Sequence, residues 1–391
     1  MDHQTKLGVI RAYRKQYLKA AKSEKTQLLD RIVAVTGYDR KHLIRALSRP
    51  KQAPKRITRP RPSRYAPILE PLRFLWAAAN FACGKRLHPF LPDLLRSLER
   101  HGEIQATPQQ KRLLCSISAA TIDRLLGPDK RDLKPRAHPG HRPATHLQRR
   151  IPIRTFADWD DVLPGFLEID LVLHCGSHAG GEYIHTLTMT DIATGWTICA
   201  PFMGRSQRFC VAALEETRRH LPFPLRGIHS DNDSAFINDH FRRYTQQIDI
   251  EFTRSRPGKK NDQCRVEQKN ADVVRKTVGY ARFDTPHQLD TLARLWALLA
   301  LYQNYFQPSR KLVAKERRGA KVKRTYDAAQ TPAQRLLARR DTPAPAKKAL
   351  RATFRDLNPV KLLRSINALV DELHERQNSV RSLVRHHLLF R

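Results

Sequence analysis

Acidic residues are scarce in this chain of 391 residues: 37 Asp and Glu stand against 72 Lys and Arg, a formal charge of +35. That imbalance is far larger than solubility requires. It points to a polyanionic partner, because cations gain free energy by displacing counterions condensed on phosphates. Long hydrophobic runs are missing as well. No stretch of about 18 apolar residues, no signal-peptide core and no strongly amphipathic basic anchor is found. Nucleic acid rather than membrane is therefore the expected partner, in a cytoplasmic, nucleoid-associated setting of bacterial type. Cysteine is sparse and scattered: Cys83, Cys115, Cys175, Cys199, Cys210 and Cys264 form no C-x-x-C pair, and the 17 histidines show no paired spacing with them. A disulfide framework or zinc module is therefore not expected, and a reducing compartment fits. What remains is a 40% hydrophobic share, enough for real cores, in a chain long enough for two to four domains.

Residues 1–49 read as three helices. Leu7, Ile10, Tyr17 and Leu18 form the first stripe. Ser23 is a candidate N-cap for a second, with Leu28, Leu29, Ile32 and Val33 inward. After the break at Thr36-Gly37-Tyr38, Asp39 can cap a third helix that buries Leu43, Ile44 and Leu47 and presents Arg40, Lys41 and Arg45. This is the plan of a helix-turn-helix, and equally that of a small bundle with a solvated basic face. Residues 50–64 are a Pro- and Arg-rich linker whose Arg59 and Arg61 suit an extended segment in a minor groove, unless it is simply a solvated hinge. Residues 65–127 form a second helical unit. In its last helix Ser118 is the expected cap, Gly127 the expected stop, and Thr121 and Arg124 the exposed positions, again either a reading helix or core packing alone. Residues 128–158 are a second linker.

Residues 159–310 carry the chemistry. Strand-like runs at 166–173, 183–190 and 196–202 precede a helical stretch at 207–220, then strands at 225–229 and 248–253. Asp170 lies inside the first run and shares a face with Glu168. Asp231 stands where the fourth strand ends, in Ser230-Asp231-Asn232. Glu267 falls in the first turns of a helix, with Asp262 as its expected N-cap and Glu267 facing inward. Three carboxylates on three elements can hold two divalent cations, as in-line attack on a phosphodiester requires. An apolar helix follows at 289–305. Residues 311–391 are expected to be a basic helical region, the least legible part of the chain.

The series Thr190-Asp191-Ile192-Ala193-Thr194-Gly195-Trp196, Ser230-Asp231-Asn232 with Phe236, Ser255-Arg256-Pro257 and Val266-Glu267-Gln268-Lys269-Asn270, together with Asp170, resembles the catalytic core of DDE-type transposases and retroviral integrases. The resemblance runs from about 164 to 280. It implies an α/β fold: an RNase H-like mixed sheet flanked by helices, here preceded by all-α helix-turn-helix modules. It also implies that Asp170 bridges two Mg²⁺ (or Mn²⁺) ions, with Asp231 and Glu267 completing the sites. A water would cut the transposon end, and the freed 3′-OH would then attack target DNA. No covalent protein–DNA intermediate is needed, so the lack of a conspicuous Ser or Tyr nucleophile is no objection. Arg254, Arg256, Lys259, Lys260 and Asn270 are the expected contacts to DNA near the acids. The partner is double-stranded DNA, both transposon ends and target, bound by a homo-oligomer. Two departures occur: where similar proteins have Asp-Asn-Gly-Ser-Glu-Phe, Asp233 replaces the Gly and Ala235 the Glu. They leave one competing reading open, a catalytically inactive DNA-binding regulator or transposase remnant.

Overall fold

The computed structural model describes residues 1–48, 63–132, 163–204, 207–231, 236, 239–256, 264–318 and 321–374. Arg59, Arg61, Asp233, Ala235, Lys259, Lys260 and Asp262 lie outside the described residues. The chain divides into two compact units, Met1–Ser63 and Arg64–Arg391.

In the first unit, Asp2 caps α1 (His3–Lys19) by accepting from the Thr5 N–H at 2.9 Å. The second helix, α2 (Lys22–Thr36), begins before Ser23. Its N-cap is Ala21, which has no side-chain acceptor to offer; the Glu24 carboxylate instead accepts from the Ala21 N–H at 3.0 Å. Gly37, at φ 67°, supplies the left-handed residue that ends α2. Asp39 then caps α3 (Arg40–Ser48) through the N–H groups of Lys41 and His42. Ile10, Tyr17, Leu28, Leu29, Ile32, Leu43 and Leu47 close a private core. Ile44, expected inside, is 39% exposed.

The second unit opens with α4 (Leu69–Ala78), α5 (Gly84–Arg100), α6 (Pro108–Ser116), α7 (Ala119–Leu125) and α8 (Gly127–Asp132). Ser118 caps α7 as expected, with its Oγ 3.2 Å from the Thr121 nitrogen. Gly127 does not stop the chain but starts the next helix. These helices share one apolar core with the C-terminal helices named below. The linker foreseen at 128–158 therefore separates sequence segments whose cores are continuous.

A five-stranded mixed sheet follows: β1 (Phe166–Leu173), β2 (Ile184–Asp191), β3 (Thr197–Met203), β4 (Gly227–Ser230) and β5 (Glu251–Arg254), in the spatial order β3-β2-β1-β4-β5. β1, β2 and β3 are antiparallel neighbours, while β4 runs parallel to β1 and β5 parallel to β4. Period-two alternation gives the sheet two unlike faces. One carries Leu167, Ile169, Leu187, Met189, Ile228 and Phe252 against α9 (Gln207–Arg219) and α10 (Asp239–Gln247). The other meets α11 (Cys264–Lys269), a π-helical turn (Asn270–Arg275), α12 (Lys276–Val278) and α13 (Pro286–Phe306). The side chain of Asn304 on α13 holds both the N–H and the C=O of Thr197, each at 2.8 Å, and the Trp296 indole donates to Thr186 at 3.1 Å.

Beyond α13 the expected helical region begins instead as a β-hairpin, β6 (Leu312–Arg318) and β7 (Lys321–Tyr326). A helix there would stack Lys311 on Lys315, Lys315 on Arg318 and Lys321 on Arg324 at i,i+3 and i,i+4, all like-charged. Extended strands take Lys315 and Arg318 out of that stack but set Lys315 opposite Arg324. Helices resume with α14 (Pro332–Ala338), α15 (Ala344–Asp356) and α16 (Pro359–His374). Among the described residues no helix is long and apolar enough to cross a membrane.

Candidate active site

Strand register brings the first two acids together. β1 and β4 pair in parallel as Phe166–Gly227, Leu167–Ile228, Glu168–His229 and Ile169–Ser230. One more step of the same register sets Asp170 beside Asp231, on the same face and at the usual inter-strand spacing of about 4.8 Å. Both are half-buried. Asp170 is held at both oxygens: Oδ1 accepts from the Leu171 N–H at 2.8 Å and Oδ2 from the Asn270 amide at 2.6 Å. Asn270 opens the π-helical turn, a backbone form common at functional sites. Its Oδ1 is buried and has no hydrogen-bond partner. Glu267 sits one turn earlier on α11 and is exposed, whereas an inward orientation was expected; Val266 takes the buried position instead. Among the described residues, no three His, Cys, Asp or Glu side chains are grouped so that they could hold a metal ion.

Glu168 has a different task from its neighbour on the strand. It is fully buried, and its Oε2 accepts from the N–H groups of Arg265 and Val266 at 3.1 and 3.0 Å, while the Arg265 guanidinium meets Oε1 at 2.8 Å. Burial pushes this carboxyl up from its ordinary value, against the opposing pull of Arg265 and the two N–H groups. Glu168 thus ties the first turn of α11 to the strand that carries Asp170. Beneath the acids a buried polar row crosses the sheet in register, Thr197–Thr190–Glu168–His229–Thr253, with His229 Nδ1 2.9 Å from the Thr253 hydroxyl. Asp191 is structural, as its place in the Thr190-Asp191 turn suggests. Its carboxylate receives the Gly165 N–H, the Thr194 N–H and the Thr194 hydroxyl at 2.6–2.8 Å. Burial raises this carboxyl too, with those donors pulling the other way.

The expected DNA contacts divide. Arg256 is exposed just beyond β5, but Arg254 is buried at 6% exposure next to the Ser255 carbonyl, so a phosphate-facing role does not suit it. Lys41 and Arg45 are exposed on α3, and Arg40 is half-buried in an ion pair with Asp30. Arg124 is exposed on α7 and donates to the half-buried Thr121 hydroxyl at 2.9 Å. The functional residues that sequence reasoning undervalued are Glu168, weighed only as an alternative ligand, and Arg265. Alternation along β1 placed Glu168 on the acid face, but its partner lies 97 positions away.

The chain is similar to known proteins at three levels. The family described as Integrase core domain matches residues 164–260. The chain is 42% identical over 327 residues to the uncharacterized protein y4rM of Sinorhizobium fredii (strain NBRC 101917 / NGR234), covering 82% of this chain and 92% of that protein. The chain belongs to the y4rM family and carries an integrase core domain. This y4rM-family chain is also 29% identical over 91 residues to the Pro-Pol polyprotein of feline foamy virus, which spans 23% of the chain and 8% of the polyprotein. The structure of the HTLV-2 integrase catalytic core domain in complex with magnesium (dimeric form) aligns at 16% identity and a TM-score of 0.29. That alignment covers 38% of this chain and 92% of the viral one. The mixed five-stranded sheet of the y4rM-family chain, with helices on both faces and an all-helical region before it, is the integrase-core fold.

Proposed function

We propose that this y4rM-family chain is a DDE-type transposase, which binds terminal inverted repeats, cleaves the element's ends and joins their 3′-OH groups to target DNA. The observation that carries this is the β1–β4 register, which, continued one step past Ile169–Ser230, would bring Asp170 alongside Asp231, with α11 tied to β1 through Glu168 and the next turn through Asn270. Asp170, Asp231 and Glu267 are the residues that would hold two Mg²⁺ or Mn²⁺ ions. The donor set fits: all are hard oxygens, and the unpartnered Oδ1 of Asn270 beside Asp170 adds another. Such cations, when bound, polarise the scissile phosphate and lower the pKa of the attacking water or 3′-OH.

The protein's own part is positioning. Asn270 and the Leu171 N–H orient the Asp170 carboxylate, and Glu168 holds the first turn of α11, the helix that carries Glu267, against β1. Arg256, with Lys259 and Lys260, would position phosphates without reading bases. Arg40, Lys41 and Arg45 would meet the terminal repeats in a major groove, Arg59 and Arg61 the adjoining minor groove, and Thr121 and Arg124 a second stretch of the repeat. Joining two ends calls for a homo-oligomer on DNA.

Purified full-length protein incubated with duplexes drawn from the DNA flanking its gene, in Mg²⁺ or Mn²⁺, provides the test. Metal-dependent nicks leaving 3′-OH ends, lost in Asp170→Asn while DNA affinity is kept, are expected. Tight binding with no cleavage in either metal would sink the enzyme and leave the DNA-binding regulator.

A further inference from the structure

The β6–β7 hairpin has a rigid root and an unsupported blade. At the root, the Asp327 carboxylate accepts from the Lys311 N–H at 2.6 Å and pairs with the Arg335 guanidinium at 2.5 Å. The Lys311 ammonium donates to the carbonyls of Ile192 and Ala193 at 3.1 and 2.7 Å, fixing the hairpin to the β2–β3 turn. Beyond this anchorage Val313–Arg317 and Val322–Tyr326 are exposed on both faces. A two-stranded ribbon with both faces in water is marginal by itself. This one is further burdened, because its register sets Lys315 directly opposite Arg324, and like charges across a ladder repel.

From Leu312 to Tyr326 the hairpin has six basic residues and one acid, Glu316. A blade so charged, and exposed along its described residues Val313–Arg317 and Val322–Tyr326, is a surface for a polyanion. We infer that the β6–β7 hairpin is a DNA-gripping arm, a two-stranded ribbon that lies in the major groove of duplex DNA and neutralises phosphates with Lys315, Arg317 and Arg324. Its shape suits that groove, which admits a two-stranded ribbon, and seven residues at about 3.3 Å each reach roughly 20 Å along it. The groove of duplex RNA is too deep and narrow for it. A second copy of this chain, with 37 Asp and Glu against 72 Lys and Arg, offers this ribbon less counter-charge than a phosphate backbone does, wherever else copies meet on DNA. The arm rests on the DNA-joining reading only for the identity of the DNA it meets.

The test is salt-dependent binding of the full-length protein to a mixed-sequence DNA duplex, with EDTA present so that no strand is cut. The variant is Lys315→Gln, Arg317→Gln and Arg324→Gln together. It is compared with a charge-matched control on α15, Lys348→Gln, Arg351→Gln and Arg355→Gln, three exposed positions. The arm variant is expected to bind roughly 10- to 100-fold more weakly at about 0.1 M salt, with the slope of log K against log salt reduced by roughly 2 to 3. The control should change far less. An unchanged slope, an equal loss in the control, or the same loss on duplex RNA or anionic vesicles would each overturn the inference. Should the triple variant not fold, Lys315→Gln with Arg324→Gln, which removes the cross-strand repulsion, carries the same test. Cleavage with metal is read separately, so a chain that grips DNA by the arm and never cuts it keeps the arm and loses the transposase.

Discussion

Glu168 shows how two carboxylates a dipeptide apart come to do different work. Asp170 is half-buried on the central strand within reach of Asn270, whereas Glu168 is sealed against Arg265 and two helix N–H groups. Removing one partner of a buried pair leaves the other uncompensated. Glu168→Ala should therefore cost roughly 3–5 kcal/mol in denaturant unfolding and lower cleavage, while Glu168→Gln, which still accepts from the α11 N–H groups, should restore much of both. Equal damage from the two variants would argue that only the charge matters.

His174 provides a pH signature. It is fully buried, with Nε2 2.9 Å from the Thr186 hydroxyl, and burial followed by the nearby Arg275 and His185 pushes it down to about 3 from its ordinary 6.5. Below pH 6.5 the unfolded chain takes up a proton that the folded chain refuses, so stability is lost as pH falls. The loss approaches about 1.4 kcal/mol per pH unit until the folded value is reached. His174→Gln should flatten the stability curve between those limits by close to one proton, measured by urea unfolding across the range.

At the scale of elements, α13 is the strut that sets the sheet's polar face. Its Asn304 side chain closes on the N–H and C=O of Thr197, both buried, and its Trp296 reaches Thr186 two strands from Asp231. Asn304→Leu keeps the bulk but strands two backbone groups, and unmade buried hydrogen bonds cost about 1–3 kcal/mol apiece. Hydrogen exchange should then speed up at β3 and spread toward β2, with α1–α3 unaffected. Protection unchanged at β3 would show the clamp to be dispensable. Gly165 bears on the same sheet. At φ 116°, a Cβ there would come within 2.1 Å of the Pro224 carbonyl, so the turn into β1 accepts no other residue without moving the backbone that faces β4.

For the whole molecule, the division into two units has a consequence for stability. Residues 1–63 have a core of their own, seven buried apolar side chains from three helices. A domain that small buries too little surface to be more than marginal. A fragment ending at Ser63 is expected to be helical by circular dichroism with a broad, low-temperature melt, and its removal should leave the main unfolding transition of Arg64–Arg391 in place. A single transition that disappears with the fragment would mean the two units fold as one.

Charge, strand alternation and the acid motifs were settled by local sequence, because composition and short-range periodicity need no knowledge of partners. From these follow the basic character, the strand–helix order and the placing of Asp170 on a strand. Other features depended on contacts that only the folded chain makes. Glu168 became a helix anchor through Arg265, 97 positions away. Arg254 turned inward, Glu267 turned outward, and residues 312–326 paired as strands. Helices α4–α7 joined the core of α13–α16. In each case the deciding quantity was burial or pairing across the tertiary structure, which a stretch of sequence leaves undetermined until its neighbours in space are in place.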